Sequence, residues 1–148
     1  IVLIDMGVKY KGYCSDMTRM IFTAKPTAKQ QEIYNLVLKA QEEAIKNIKA
    51  GITGKKADEL SRKIIEKAGY AEAYGHAGGH GIGLDIHETP SLSANFTKKL
   101  KENSVITIEP GIYLHGEFGV RIEDMVIPQK KGNKNLTKIK KSLKDCLI

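Results

Sequence analysis

An α+β domain, with helices on one face of a largely antiparallel sheet, is the fold class this sequence predicts, and three observations lead to it. Two β-rich runs flank the turn-like Tyr10-Lys11-Gly12 near the start, and two more flank Gly116 toward the end. Between them the apolar residues recur at helical rather than strand spacing. No strand–helix alternation of the kind that builds a parallel sheet is present.

Residues 1–22 read as a hairpin of IVLIDMGV against YCSDMTRMIF. The period then changes. Thr27-Ala28-Lys29-Gln30 has the form of a capping box, and Ile33, Val37, Ala40, Ala44 and Ile48 follow at helical spacing up to Gly51, which defines a first long helix. Thr53 caps a second helix whose apolar stripe is Ala57, Leu60, Ile64 and Ala68, ending at Gly69. The stretch from Gly75 to Gly83 is too rich in glycine for stable helix. VITIEPGIYL (105–114) and GVRIEDMVIP (119–128) then form a second hairpin around Gly116.

Composition excludes several classes. The chain has 148 residues with 41% hydrophobic and 28% charged, enough for one core and unlike a disordered segment. No run approaches the roughly 18 apolar residues of a membrane span. Cys14 and Cys146 lie at opposite ends and match no metal-ligand spacing, so neither a disulfide scaffold nor a zinc finger is expected, and a cytoplasmic location is the default. The net charge of +7 is mostly lysine on helix faces and in the tail from Lys130 to Lys144, without the Arg-rich, aromatic-interleaved stripe of a nucleic-acid groove. A solvated lysine surface is expected, with neither nucleic acid nor membrane as partner. The chain opens at Ile1 on an apolar run with no charged region before it, which reads as an interior cut in a longer polypeptide.

Carboxylates are placed against one another. Asp5 and Asp16 are equidistant from a hairpin centre between Tyr10 and Lys11, and Glu109 and Glu123 from one at Gly116, so each pair is expected directly across a ladder on one face. Two ionised carboxylates about 5 Å apart repel by roughly 3 kcal/mol at an effective dielectric near 20. One pair survives by sharing a proton; two converging pairs call for cations between them. A one-residue slip or a bulge would turn one acid of a pair to the other face, and in that register Asp124 would replace Glu123 as the inward acid.

His76, His80 and His87 fall within the segment GHAGGHGIGLDIHE, while His115 sits in a turn. Glycines around histidines let backbone approach a ligand closely. The i, i+4 spacing of His76 and His80 suits a helical zinc site, but Gly78, Gly79 and Gly81 exclude that helix. The phosphate-loop pattern also fails, broken at Leu84 and at Ile86, with no GK[ST] following.

Together, IDMG with Asp5, SDMTR with Asp16, GHGIG with His80, IEPG with Glu109 and RIED with Glu123 resemble the pita-bread (M24-type) metallopeptidase family, over nearly the whole chain and in the family's order. The interval from Glu109 to Glu123 and the phrase GVRIED resemble its proline-specific branch, that of prolidase and aminopeptidase P (Xaa-Pro aminopeptidase). The resemblance implies the C-terminal half of a pita-bread catalytic domain, with an upstream half-domain and leader domain outside residues 1–148, and a homodimer for the full-length protein.

It further implies two divalent ions, Mn2+ or Co2+ ahead of Zn2+, with Asp5 and Glu109 on one ion, His80 on the other, and Asp16 and Glu123 bridging. A water activated by the ions would attack the peptide bond preceding proline in a dipeptide or peptide substrate. Glu109 would carry the proton to the leaving nitrogen. His87 would hydrogen-bond the substrate or the developing charge, and His76 would line the pocket. Arg121, on the face of Glu123 by period-two counting, would pair a ligand carboxylate, bind substrate, or simply balance charge. Cys14 shares the metal-facing side of its strand as a packing residue. The competing readings are a non-catalytic pita-bread interaction module and a methionine-aminopeptidase-like enzyme.

Overall fold

The computed structural model describes residues 1–148. Strands β1 (Val2–Met6), β2 (Lys9–Tyr10), β3 (Tyr13–Cys14) and β4 (Met17–Ile21) form one long antiparallel hairpin. Helices α1 (Ala28–Asn47) and α2 (Gly54–Lys67) follow, then the short strands β5 (Gly79–Gly81) and β6 (Glu88–Leu92). Strands β7 (Ile106–Ile108), β8 (Gly111–Leu114), β9 (Phe118–Arg121) and β10 (Asp124–Pro128) make the second hairpin, and β11 (Asn133–Asn135) completes a five-stranded antiparallel sheet ordered β11-β10-β7-β5-β6. No helix is long and apolar enough to cross a membrane.

Both helices start where capping chemistry places them. The Thr27 hydroxyl accepts the Gln30 N–H while the Gln30 side chain accepts the Thr27 N–H, and the Thr53 hydroxyl accepts the Lys56 N–H. The α1 stripe is buried as expected. Its first half, Ile33, Val37 and Ala40, packs with Met20, Phe22, Ile112, Val120 and Ile122 against the two hairpins. Its second half, Ala44 and Ile48, packs with Leu92, Leu100, Ile106, Ile108 and Val126 against the five-stranded sheet. One helix thus bridges two clusters and fixes the hairpins against the sheet. Each Val, Leu, Ile, Met or Phe so buried contributes about 1.5–3 kcal/mol, and each alanine about 0.8.

The face of α2 differs from the expected stripe. Ala57, Asp58, Ser61 and Ile65 are buried, whereas Ala68 is exposed and Leu60 and Ile64 are half-buried. The helix is rotated by about one residue because two polar side chains on it have partners inside.

The register of the first hairpin also differs. Its turn is Lys11-Gly12, with φ of 49° and 87°, so the ladder pairs Asp5 with Thr18 rather than with Asp16. Two residues in left-handed conformation match the twist of the flanking strands, which a turn centred one position earlier would not supply. The shift is two residues along the partner strand. Parity is therefore kept, and Asp5 and Asp16 remain diagonal neighbours on one face.

In the second hairpin the expected register holds, with Ile108 across from Asp124 and Gly111 across from Arg121. The two ladders stop between these pairs, where Glu109 and Glu123 face one another. Pro110 has no N–H to offer there. The freed N–H groups go to third strands: Glu109 N–H donates to Gly78 O (2.9 Å) and Glu123 N–H to Thr18 O (3.2 Å). The break is what joins this hairpin to the first one and to the glycine-rich segment.

The C-terminal lysine tail is less solvated than expected. Lys141 is only 18% exposed in its side chain, and its ammonium meets Asp124 and Gln41. Asp124 is itself buried, also held by Arg19 (2.7 Å) and Asn135 (2.9 Å). Arg19 donates further to the carbonyls of Thr18, Glu123 and Ile139, tying both hairpins to the tail.

Candidate metal centre

The site assembles where the two hairpins meet β5. Gly79 and Gly81 flank His80, and a Cβ on either would lie 2.1 Å from Thr107 O or 2.4 Å from Thr89 O, so only glycine lets this strand pass so close to its neighbours. His80 Nδ1 lies 2.9 Å from Gly81 O. A carbonyl only accepts, so Nδ1 carries a proton and Nε2 is the nitrogen turned to the acids. Nε2 stands 3.3 Å from Glu109 Oε1 and 3.7 Å from Asp16 Oδ2. Donor atoms of Asp16, His80 and Glu123 all lie within 4.8 Å of one another.

Hydroxyls steer the acids. Thr107 takes the His80 N–H (3.0 Å) and donates to Glu109 Oε1 (2.9 Å). Thr18 donates to Glu123 Oε2 (2.6 Å) and accepts from Arg121 Nε (3.0 Å). Arg121 also reaches Asp5 through Nη2 and the Tyr113 hydroxyl through Nη1 (3.0 Å). Tyr113 then contacts His76 Nε2 at 3.0 Å. His76 Nδ1 lies 2.8 Å from Ala77 O and is the protonated nitrogen, so the tyrosine O–H donates to Nε2.

The sequence-predicted residues therefore fall into three groups. Asp16, His80, Glu109 and Glu123 converge. Asp5 lies on the same strand face with its carboxylate turned to Arg121 and half exposed. His76, His87 and Arg121 line, with His80 and Glu109, a cavity of about 480 Å³, and the His87 ring sits 4.4 Å from the His80 ring, centroid to centroid. The Cys14 thiol contacts Leu84 O (3.6 Å), and His115 stays in its turn. Thr18, Thr107 and Tyr113 were not singled out in the sequence. Period-two counting from Asp16 and Glu109 reaches the two threonines, but nothing distinguishes a strand threonine that orients an acid from one that packs.

The electrostatics call for a cation. Burial, and then the Glu109 charge, push the Glu123 carboxyl up to about 8 from 4.5. Burial and the nearby Asp5 raise Asp16 as well. Arg121 compensates Asp5, leaving three crowded carboxyl groups around one imidazole. An oxygen-rich donor set with one imidazole and excess negative charge fits divalent ions of borderline hardness.

A curved antiparallel α+β scaffold that sets acids from two hairpins against a histidine on a glycine-rich strand is the pita-bread architecture of metal-dependent peptidases. The model of metallopeptidase family M24 matches residues 1–129, and the chain belongs to that family. It is 48% identical over 143 residues to a Xaa-Pro dipeptidase of Pyrococcus horikoshii, covering 97% of this chain and 41% of that enzyme. A Xaa-Pro dipeptidase structure from Bacillus anthracis superposes with a TM-score of 0.96 at 48% identity, over 99% of this chain and 41% of that one. An X-Pro aminopeptidase structure from Thermotoga maritima gives 0.95 at 44% identity, over 99% and 40%. The chain thus spans about two-fifths of the length of the relatives it matches.

Proposed function

We propose that the polypeptide carrying this chain is a metal-dependent peptidase that hydrolyses the bond preceding proline, as a Xaa-Pro dipeptidase or Xaa-Pro aminopeptidase. The observation that carries the reading is the convergence of Asp16, His80 and Glu123 donor atoms within 4.8 Å, with Glu109 a further 3.3 Å from His80 Nε2. Similarity to Xaa-Pro dipeptidases and to an X-Pro aminopeptidase supports the substrate class.

Asp5, Asp16, His80, Glu109 and Glu123 would hold two divalent ions, which when bound supply Lewis acidity and an activated water. Mn2+ or Co2+ suits this donor set ahead of Zn2+. Asp5 would exchange part of its contact with Arg121 for an ion. Glu109, oriented by Thr107, takes the proton of the attacking water and passes it to the leaving nitrogen. His87 donates to the oxygen on which charge develops. Arg121 and His76, linked through Tyr113, form the wall against which the substrate is held.

The same reading makes residues 1–148 the C-terminal part of a pita-bread catalytic domain. Ile4, Met6 and Val8 are exposed along the β1 side of the first hairpin, and β1 is a sheet edge with a single neighbour, as expected for a surface that other polypeptide covers.

The test is hydrolysis of Xaa-Pro dipeptides and N-terminal Xaa-Pro peptides by the intact polypeptide with Mn2+. Glu109→Gln is expected to lower turnover by about 10³-fold or more, and His87→Ala by about 10²-fold with metal content preserved. Tight ion binding without peptide hydrolysis would favour a non-catalytic module. Cleavage of Met-Ala but not Xaa-Pro peptides would move the chain to the methionine aminopeptidase branch.

A further inference from the structure

Helix α2 carries an ion pair, Asp58 with Arg62, that reaches the site wall. Asp58 is 1% exposed. Arg62 binds it as a fork, Nε to Oδ2 at 2.6 Å and Nη2 to Oδ1 at 2.9 Å. The remaining capacity of both side chains goes to one backbone segment. Arg62 donates to the carbonyls of Tyr74 (3.0 Å) and His76 (2.7 Å), and its guanidinium lies 4.1 Å from the Tyr74 ring centroid. Asp58 Oδ1 accepts the Gly78 N–H at 2.9 Å. A Cβ at Gly78 would lie 2.9 Å from that same oxygen, so any other residue there would push the carboxylate out of this contact.

The segment held in this way presents His76 to Tyr113 and, through Gly78 O, accepts the N–H of Glu109 at 2.9 Å. Here bonds to Tyr74, His76 and Gly78 bracket His76 on both sides, fixing the backbone from which its ring projects. A planar guanidinium paired in a fork has little freedom, so the carbonyl positions follow the helix.

We propose that the Asp58–Arg62 pair on α2 is a positioning device that sets the His76 ring against the Tyr113–Arg121 wall of the substrate pocket. The proposal rests on the functional reading above for its kinetic consequence, but not for its structural one. Neither residue touches substrate; both act through His76.

The test uses the intact polypeptide loaded with Mn2+ for kinetics and Mg2+ for 15N-histidine NMR. Arg62→Lys keeps the charge and loses the fork. It is expected to lower kcat/KM for a Xaa-Pro dipeptide by about 10- to 100-fold with two ions still bound. In a His76→Ala background the same change is expected to add less than about twofold. The wild-type His76 ring should show a single Nδ1-protonated tautomer, and Arg62→Lys should average it. If Arg62→Lys does not fold, Asp58→Asn, which keeps an acceptor for the Gly78 N–H, replaces it in the same cycle. Equal losses in the two backgrounds, or an unchanged His76 tautomer, would overturn the proposal. A wild type without Xaa-Pro hydrolysis would refute the functional reading instead, and the ring signals would still decide the positioning role.

Discussion

Replacing Glu123 by Gln is expected to stabilise the metal-free protein at neutral pH while removing its stabilisation by divalent ions. Glu123 is 2% exposed, and the Thr18 hydroxyl that donates to its Oε2 would find an amide carbonyl of nearly the same shape. Burial and the charges of Glu109, Asp16 and Asp5 raise the folded carboxyl from 4.5 to about 8. For an acid raised on folding, the stability it contributes is complete below 4.5, declines as pH rises, and is gone by about 8. At about 1.36 kcal/mol per pH unit, the metal-free wild type loses about 3 kcal/mol between 4.5 and neutrality. A neutral amide loses none of it. Bound ions restore the anion and stabilise the wild type alone by about 2.7 kcal/mol at a hundredfold excess over Kd, which nearly closes the gap to the variant.

Urea unfolding in EDTA and in Mn2+, at about pH 5 and about pH 7, separates these terms. In EDTA the variant should exceed the wild type by about 3 kcal/mol at the higher pH and by less than about 1 kcal/mol at the lower. In Mn2+ only the wild type should gain. A variant less stable than wild type in EDTA at neutral pH, or one that Mn2+ stabilises equally, would refute the argument that its surroundings hold Glu123 uncharged until a cation binds.

Thr18→Val removes the hydroxyl that orients Glu123 and receives Arg121 Nε; calorimetry should show ion affinity about 10- to 100-fold weaker, restored by Thr18→Ser to within about threefold. Lys141→Ala is expected to cost about 2 kcal/mol in urea unfolding, because Asp124 stays buried with one cation fewer. Burial alone would raise Asp124, but Lys141, Asn135 and Arg19 hold it below its usual 3.8, so its stabilisation is present above that value and is lost as pH falls further. The variant should show a flatter acid limb, and an unchanged one would remove Lys141 from that account.

Different physical signals made different parts legible. Capping boxes and the α1 stripe were readable because hydroxyl acceptors and a 3.6-residue period act locally. The α2 face was not, because Asp58 is inside by virtue of Gly78, 20 residues along the chain, and Ser61 by virtue of Tyr74, 13 along, which no helical period encodes. Lys141 looks solvated in the sequence for the same reason: its partners, Asp124 and Gln41, are brought near only by the tail's path. A charged residue in sequence carries no mark of whether a partner waits for it.

The first hairpin shows why a site can be legible through a wrong register. Lys11 is not a residue that announces a positive φ, so the sequence centres the turn one position early and sets Asp5 across from Asp16 instead of Thr18. Moving a two-residue turn by one position shifts every cross-strand partner by two, and side chains alternate faces with period two. The error therefore cancels for facing and survives only for direct opposition. The consequence is chemical as well as geometric. The true register leaves Thr18 across from Asp5, and from there its hydroxyl reaches Glu123 and Arg121. A directly opposed Asp5–Asp16 pair would have placed a third acid where the structure needs a neutral donor. Face is fixed by parity and found by counting; the hydroxyl that aims the ligand is fixed by register, and register is set by the turn.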